Sequence, residues 1–326
     1  MQRIWLILFV TFELCYYLLI AQTGLVEYFH SDIFVIGMLP LGGIIGALFT
    51  RYCIVSKENL LIYMLVGQSV LTLFYPDLSL VMLFLLGFCI GGIAPLLIVA
   101  LKNQKDYEMS IALALAYMIG TILFNIPVEN RQEIALLFSV IAVWSASFIS
   151  LKTKARVEST NERFPLSILG MMTLWAFMDS TLFETLSRDP SISIWRGGYE
   201  LPIILFHFAG IVTALFGHTR STDKERFILL LFALSYLSYF FHEALVLAMV
   251  YPFVISYYNV VILQEVIKIK SFGTIVIVMI CIGWIASGIG LMVALQGLIG
   301  MVVPIWLIAI GWMIKINFKT KEIHHV

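Results

Sequence analysis

The sequence has few charged residues. Asp, Glu, Lys and Arg together make up only 12% of its 326 residues, about half the share that is usual in soluble domains. Hydrophobic residues make up 61%, and the mean hydropathy is +0.99. A soluble globule could not bury so much apolar surface, because its own surface needs polar cover. We therefore interpret the chain as a membrane protein whose main solvent is lipid.

Several signatures of other protein classes are missing. The formal net charge is zero, whereas a nucleic-acid-binding domain presents a basic face. The four cysteines form no C-x-x-C pair, so neither a zinc site nor a disulfide framework is indicated. Neither H-E-x-x-H nor G-x-S-x-G occurs, and His207 and His242 lie in separate apolar segments. The sequence predicts no enzyme activity, no cofactor, no metal and no nucleic-acid partner.

Long apolar runs fill the chain instead. A helix crosses the hydrocarbon core with about 20 apolar residues, and charged or turn-rich breaks cut the chain into twelve runs of about that length. Two longer stretches, 227–270 and 273–316, are predicted to be hairpins that turn at His242-Glu243 and Gln296-Gly297. Ten or eleven spans are the alternative. The predicted spans are 4–22, 33–50, 59–75, 79–101, 109–126, 134–151, 166–187, 201–218, 227–243, 246–267, 273–295 and 298–316.

The basic residues give an independent test of this topology. With the N-terminus in the cytoplasm, 17 of the 20 Lys and Arg residues fall on the cytoplasmic side, and Arg131, Arg188 and Arg196 are the exceptions. Such a bias sets membrane orientation through short loops. We predict that both termini lie in the cytoplasm. The short loops favour a bacterial cytoplasmic membrane.

The chain also contains an internal repeat. The segment GIIGALF at 43–49 resembles GIVTALF at 210–216, and the same offset of 167 residues brings Arg51 close to Arg220. Repeats of this kind reveal architecture. The all-α chain is therefore predicted to form two pseudo-symmetric six-helix bundles, 1–151 and 166–326, joined by a cytoplasmic linker at 152–165.

This organisation resembles the major facilitator superfamily, with twelve spans, six plus six, and a basic central loop. After the second span that family carries a glycine, an aspartate-arginine pair, a second glycine and further basic residues. Here Gly46, Thr50-Arg51, Cys53 and Lys57 stand at these places, so the arginine matches while the aspartate and second glycine are absent. The fifth span also lacks the glycine-proline signature of the drug antiporters. We predict Arg51 and Arg220 as gating residues.

Ionisable residues inside the spans are the candidate site. They are costly in lipid, so they usually face the bundle interior or a wet cavity. Glu13 lies at the centre of the first span and Asp179 near the centre of the seventh, with Glu184 further out and His207 in the eighth. In the resembled fold, the first and seventh spans line the central cavity. A histidine like His207 is more often packed or hydrogen-bonded than a proton relay.

Aromatic residues accompany the two central acids. Tyr17 follows Glu13 by four residues and Trp175 precedes Asp179 by four, so each pair shares a helix face. An acid beside an aromatic ring suits an organic cation, and no Lys or Arg lies in the middle of a span. The outer connection 188–200 is predicted either to cover the cavity mouth or to be a plain connector.

The sequence therefore predicts a secondary active transporter that moves a small cationic or neutral solute by alternating access. Protons are the coupling ion that its acids would suit, and the resembled architecture can act as a monomer in the bilayer. The alternative is a non-transporting membrane protein with the same body, such as an assembly factor or a sensor. A membrane-embedded enzyme is a weaker third candidate.

Overall fold

The computed structural model describes residues 2–29, 32–102, 106–151, 164–217, 221–308 and 311. All regular secondary structure in these ranges is helical. Most of the predicted linker 152–165 and the predicted gating residue Arg220 lie outside the described residues. The helices are α1 (Gln2–Tyr28), α2 (Ile33–Tyr52), α3 (Lys57–Thr72), α4 (Leu80–Leu101), α5 (Asp106–Leu123), α6 (Arg131–Ala146), α7 (Leu166–Arg188), α8 (Glu200–Phe216), α9 (Ser221–Phe240), α10 (Ala244–Val266), α11 (Phe272–Leu295) and α12 (Ile299–Ile308).

Seven of the described helices are long and apolar enough to cross a membrane, namely α1, α2, α4, α5, α7, α10 and α11. The helices α8 and α12 are apolar but shorter. The chain is therefore an integral membrane protein that crosses the bilayer several times. The full number of twelve spans stays a prediction.

Short polar side chains mark where several helices begin. The Ser56 hydroxyl accepts a hydrogen bond from the Asn59 amide at the start of α3, and the Asp32 carboxylate caps α2 in the same way. Ser79 and Ser271 cap α4 and α11. The first amides of a helix have no partner within it, and such a cap satisfies one of them. These residues therefore separate the apolar runs into distinct helices.

Both predicted hairpin turns are confirmed. The helix α9 ends at Phe240 and α10 begins at Ala244, with His242 between them at φ 57°. The helix α11 ends at Leu295, and Gly297 follows at φ 67°. A left-handed residue ends a helix because it turns the chain away from the helical path, and glycine adopts this conformation without strain.

The glycines of α2 and α4 let these two helices touch. A Cβ atom added at Gly42 would lie 2.0 Å from the Phe84 carbonyl oxygen, and one at Gly46 would lie 2.0 Å from that of Phe88. Gly87 and Gly91 of α4 approach the backbone of α2 equally closely. Small residues allow such contact between membrane helices, where dispersion replaces the hydrophobic effect as the main attraction. These four glycines therefore serve the close packing of α2 against α4.

Several helix neighbours of the first six helices have counterparts in the last six. In the first group, α2 and α3 pack on α4, and α1 packs on α5 and α6. In the second group, α8 and α9 pack on α10, and α7 packs on α11 and on the start of α12. The groups meet where α5 contacts α8 and α10, and where α11 contacts α2 and α4. These two seams are the only major contacts between the groups in the described part of the chain, and space remains between them. The exact domain boundaries stay a prediction.

We expect Gly46→Ala to destabilise the protein, because its new methyl group would collide with the backbone of α4. Overpacking of this kind costs about 1–3 kcal/mol. The measurement is the apparent melting temperature in detergent. Gly170→Ala is the matched control, since a Cβ atom there meets nothing within 4 Å. Equal melting temperatures for the two variants would contradict the close approach of α2 and α4.

Candidate functional site

A cavity of about 390 Å³ lies between the two groups of helices. Four helices of each group line it: α1, α2, α4 and α5 on one side, and α7, α8, α10 and α11 on the other. Its volume falls in the range of about 300–1,000 Å³ that is common for small-molecule sites. Among the described residues its lining contains three carboxylates, those of Glu13, Asp179 and Glu184, but neither Lys nor Arg.

Five of the six predicted binding residues line this cavity, namely Glu13, Tyr17, Asp179, Glu184 and His207. The sixth, Trp175, does not line it, although it lies on the same helix as Asp179. It lines a second, smaller cavity nearer the predicted cytoplasmic side. Four residues of α-helix advance the chain by about 6 Å, which is enough to separate two side chains of one face into different cavities.

Glu13 is buried in α1, with 4% of its surface exposed. Gln68 of α3 donates a hydrogen bond from Nε2 to its Oε2 over 3.1 Å. Gln68 itself has no exposed surface, and its amide is neutral, so it holds the carboxylate without cancelling its charge. The Glu13 carboxylate therefore has a fixed position at the cavity wall.

Asp179 is held by two tyrosines of α10. The Tyr251 hydroxyl donates to Oδ1 over 2.8 Å, and the Tyr258 hydroxyl donates to Oδ2 over 2.6 Å. Hydrogen bonds to a charged acceptor are stronger than those between neutral groups. A carboxylate has about four lone-pair sites, so two tyrosines leave acceptor capacity for a ligand in the cavity.

His207 joins the two groups of helices through an aromatic contact. Its ring stacks on Tyr117 of α5 with centroids 4.5 Å apart and an interplanar angle of 2°. Its Nδ1 lies 2.7 Å from the Ser256 hydroxyl, and Asn259 donates from Nδ2 to the Tyr117 hydroxyl over 2.8 Å. His207 is thus both packed and hydrogen-bonded. A histidine in a span more often has this role than that of a proton relay.

Ion pairs lie at the mouth of the cavity on the predicted outer side. Arg131 lies 3.2 Å and Arg196 3.0 Å from the carboxylate of Glu27, at the outer end of α1. Arg188 lies 2.9 Å from Glu184. The three basic residues predicted outside the cytoplasmic loops therefore all pair with carboxylates. The Glu27–Arg196 pair joins the first group of helices to the second.

Aromatic and amide contacts reinforce this outer closure. Trp195 lines the cavity and stacks on Phe124 of α5 with centroids 5.2 Å apart. The Asn125 amide donates to the Glu200 carboxylate over 3.2 Å. The loop between α7 and α8 thus lies over the mouth of the cavity. Sequence reasoning missed Glu27, although an acid at the end of a span opposite three outer arginines was a usable signal.

The predicted cytoplasmic side has contacts of its own between the groups. The guanidinium of Arg51 lies against the start of α11, where a Cβ atom added at Gly273 would be 3.0 Å from its Nε. The Lys57 ammonium lies 3.7 Å from the ring centroid of Phe272. Gln264 donates to the Asp106 carboxylate over 3.2 Å. Arg51 is therefore placed where the two groups meet.

Two cavity-lining segments depart from regular α-helix. Residues Tyr17–Gly24 of α1 and Ile280–Ala286 of α11 have π-helical hydrogen bonding. Both contribute to the cavity, for example through Tyr17 and Trp284. Such local widening of a helix is rare and frequently occurs at functional sites. The composition of these segments is ordinary for a membrane helix, so the sequence contained no signal for it.

We expect Asp179→Asn and Tyr258→Phe to show energetic coupling, because each removes one half of a charge-assisted hydrogen bond. A double-mutant cycle of unfolding free energies in mixed micelles should yield about 0.5–2 kcal/mol. Asp179→Asn combined with Tyr63→Phe is the control pair, since Tyr63 is 62% exposed in the other group. Additive effects in both pairs would show that the tyrosine does not hold the carboxylate.

Comparison with known proteins identifies the fold. No family model and no curated protein matches the sequence. The solved structure of the human organic anion transporter MFSD10 (TETRAN) aligns with a TM-score of 0.62, at 15% identity, over 95% of this chain and 98% of that one. FucP, a major facilitator superfamily transporter in the outward conformation, aligns with a TM-score of 0.56, at 14% identity, over 94% and 98%. The chain therefore has the fold of the major facilitator superfamily, as its sequence predicts.

Proposed function

We propose that this protein is a secondary active transporter, with twelve spans in two halves, that carries a small cationic or neutral solute. The observation that carries the proposal is the cavity between the two groups of helices, lined by three carboxylates and, among the described residues, by no Lys or Arg. Its fold supports the same conclusion, because the two aligned structures described above are transporters and not enzymes.

The charge of the cavity favours a cationic substrate over an anionic one. An anion would have to approach Glu13 and Asp179 without a basic side chain in the described lining to offset the repulsion. A cation gains from the carboxylates and from the nearby rings of Tyr17 and Tyr117, whose faces attract positive charge. One of the aligned structures is named an organic anion transporter. At 15% identity that name does not determine the substrate here.

Alternating access supplies the mechanism. The outer closure through Glu27 and Arg196 and the inner contacts of Arg51 both join the two groups of helices. For the solute to leave by either side, the contacts of that side must break while the other set holds. Arg51 acts as an inner gating residue in this scheme. Arg220, which the repeat relates to Arg51, is proposed for the equivalent role in the second half.

Glu13 and Asp179 are the proposed sites of proton or cation binding. Each is held by neutral donors, so its charge is not cancelled by a permanent partner. Binding a proton or a cation would remove the cost of an isolated charge in the membrane. Glu184 differs because Arg188 already pairs with it. We assign Glu184 to the outer route and the central pair of acids to coupling.

We expect Asp179→Asn to lower transport by about tenfold or more, because the variant cannot offer a charge to a cation or a proton. The assay is uptake into proteoliposomes of tetraethylammonium, a neutral hexose and a dicarboxylate, with and without a pH gradient. The parent protein should take up one of the first two compounds in preference to the dicarboxylate.

Glu13→Gln should lose transport in the same way, whereas Glu133→Gln is the matched control at an exposed position outside the cavity. Full transport in both Asp179→Asn and Glu13→Gln would refute the assignment of these acids. No transport and no thermal stabilisation of the parent by any compound would favour the non-transporting assembly factor or sensor.

Locking the outer closure should stop the cycle. We expect a disulfide bond between cysteines introduced by Asn125→Cys and Glu200→Cys to abolish transport. The four native cysteines are replaced by serine in this variant. The Asn125 and Glu200 side chains lie 3.2 Å apart across the two groups of helices. Reduction of the cross-link should restore uptake. Uptake that continues at full rate in fully cross-linked protein would contradict alternating access through this mouth.

A further inference from the structure

A second cavity of about 240 Å³ lies within the last six helices, away from the space between the groups. The helix α7 contributes one face to it, through Ile168, Met171, Met172 and Trp175, which follow the i, i+3, i+4, i+7 spacing of a single helix stripe. Val261 and four charged residues near the start of α9 and the end of α10 complete its wall: Lys224, Glu225, Glu265 and Lys268. The proposed transport mechanism uses none of these residues.

The cavity contains polar groups whose hydrogen-bonding capacity is not used. Trp175 is 3% exposed, and its indole N–H has no acceptor in the described part of the chain. Lys268 pairs with Glu265 over 2.6 Å. Within the described ranges, Lys224 and Glu225 have no ion-pair partner. A buried donor without an acceptor costs free energy, so the Trp175 indole would gain from a ligand acceptor, beside a half-buried lysine and glutamate.

The balance of charge in this wall points to the kind of ligand. Two lysines and two glutamates line the cavity, so a simple anion would meet repulsion from Glu225 and Glu265 and a simple cation would meet it from the lysines. A molecule with both an oxyanion and an ammonium group satisfies both sets. Pockets for drug-sized molecules have volumes of about 300–1,000 Å³. This cavity is smaller, so it suits a ligand the size of a lipid headgroup.

The depth of the cavity is also informative. Its charged residues lie at the start of α9 and the end of α10, among the basic residues predicted to face the cytoplasm. The apolar stripe of α7 continues from there toward the membrane interior. Charged groups that are followed by an apolar wall toward the membrane interior suit the boundary between lipid headgroups and acyl chains.

We propose that this cavity is a binding site for a small zwitterion that carries an oxyanion and a primary ammonium group, as phosphoethanolamine does. The Trp175 indole N–H and the Lys224 ammonium donate hydrogen bonds to the oxyanion. Glu225 accepts hydrogen bonds from the ammonium group. The site is separate from the central cavity, so its occupancy does not depend on the proposed transport function.

The test uses the delipidated full-length protein in detergent and titration calorimetry with soluble glycerophosphoethanolamine. We expect saturable binding that Trp175→Phe and Lys224→Gln each weaken by about tenfold, because each removes a donor to a charged group. The controls are Trp144→Phe and Asp223→Asn, both outside the cavity. Asp179→Asn should bind as the parent does, so loss of transport and loss of this site remain distinguishable.

Two further ligands test the zwitterion itself. Glycerophosphocholine, whose ammonium has no N–H, and inorganic phosphate should both bind more weakly than glycerophosphoethanolamine. Equal binding of phosphate and the zwitterion would overturn the role of Glu225. An absence of saturable binding to the parent, or equal affinity in the parent and both donor variants, would overturn the site.

Nanodiscs of different lipid composition distinguish the two sources of such a zwitterion, a membrane lipid and a free solute. If a membrane lipid occupies the site, nanodiscs of phosphatidylethanolamine should block the soluble headgroup, while nanodiscs of phosphatidylcholine leave it able to bind. If a free solute occupies the site, the soluble ligand should bind equally in both. Either pattern supports the proposed chemistry and names the source.

Discussion

Every carboxylate inside this apolar bundle needs a partner, and the nature of that partner divides the molecule into zones. An isolated charge in a membrane span costs several kcal/mol. At the outer mouth, Glu27 and Glu184 have arginine partners. In the centre, the partners of Glu13 and Asp179 among the described residues are an amide and two hydroxyl groups. The outer pairs are thus compensated in charge, whereas the central acids are held only by neutral groups among the described residues.

Close packing of the helices fixes the positions of these zones within each group of helices. The helices α2 and α4 touch backbone to backbone through their glycines, and α8 approaches α10 at Gly210, where a Cβ atom would lie 2.4 Å from the Phe253 carbonyl oxygen. Contacts this close hold each group of helices as one body. The seams between the groups depend on side chains instead, such as the stacked rings of Tyr117 and His207. Side-chain contacts can exchange partners more easily than close backbone contacts, which suits the alternating access that we propose.

The sequence predicted the resembled fold and both hairpin turns, because span length and turn residues are local properties. It also located Glu13 and Asp179, since an ionisable residue in an apolar run is conspicuous wherever it points. It grouped Trp175 with Asp179, whereas Trp175 lines the second cavity, because a shared helix face does not specify depth along the helix. It missed Tyr251 and Tyr258 as partners, since tyrosines are ordinary in membrane helices, and it overlooked Glu27 although the three outer arginines pointed to an acid there.

Composition and periodicity by themselves determined that this chain lies in a membrane, where its helices break and which spans contain acids. These are properties of single segments in lipid, where each helix satisfies its own backbone. Only the tertiary structure decided which acids share a cavity, which are neutralised by arginine, and that a second cavity lies one turn away along α7. Those outcomes depend on the rotation and depth of helices from distant parts of the chain, and side-chain packing sets both.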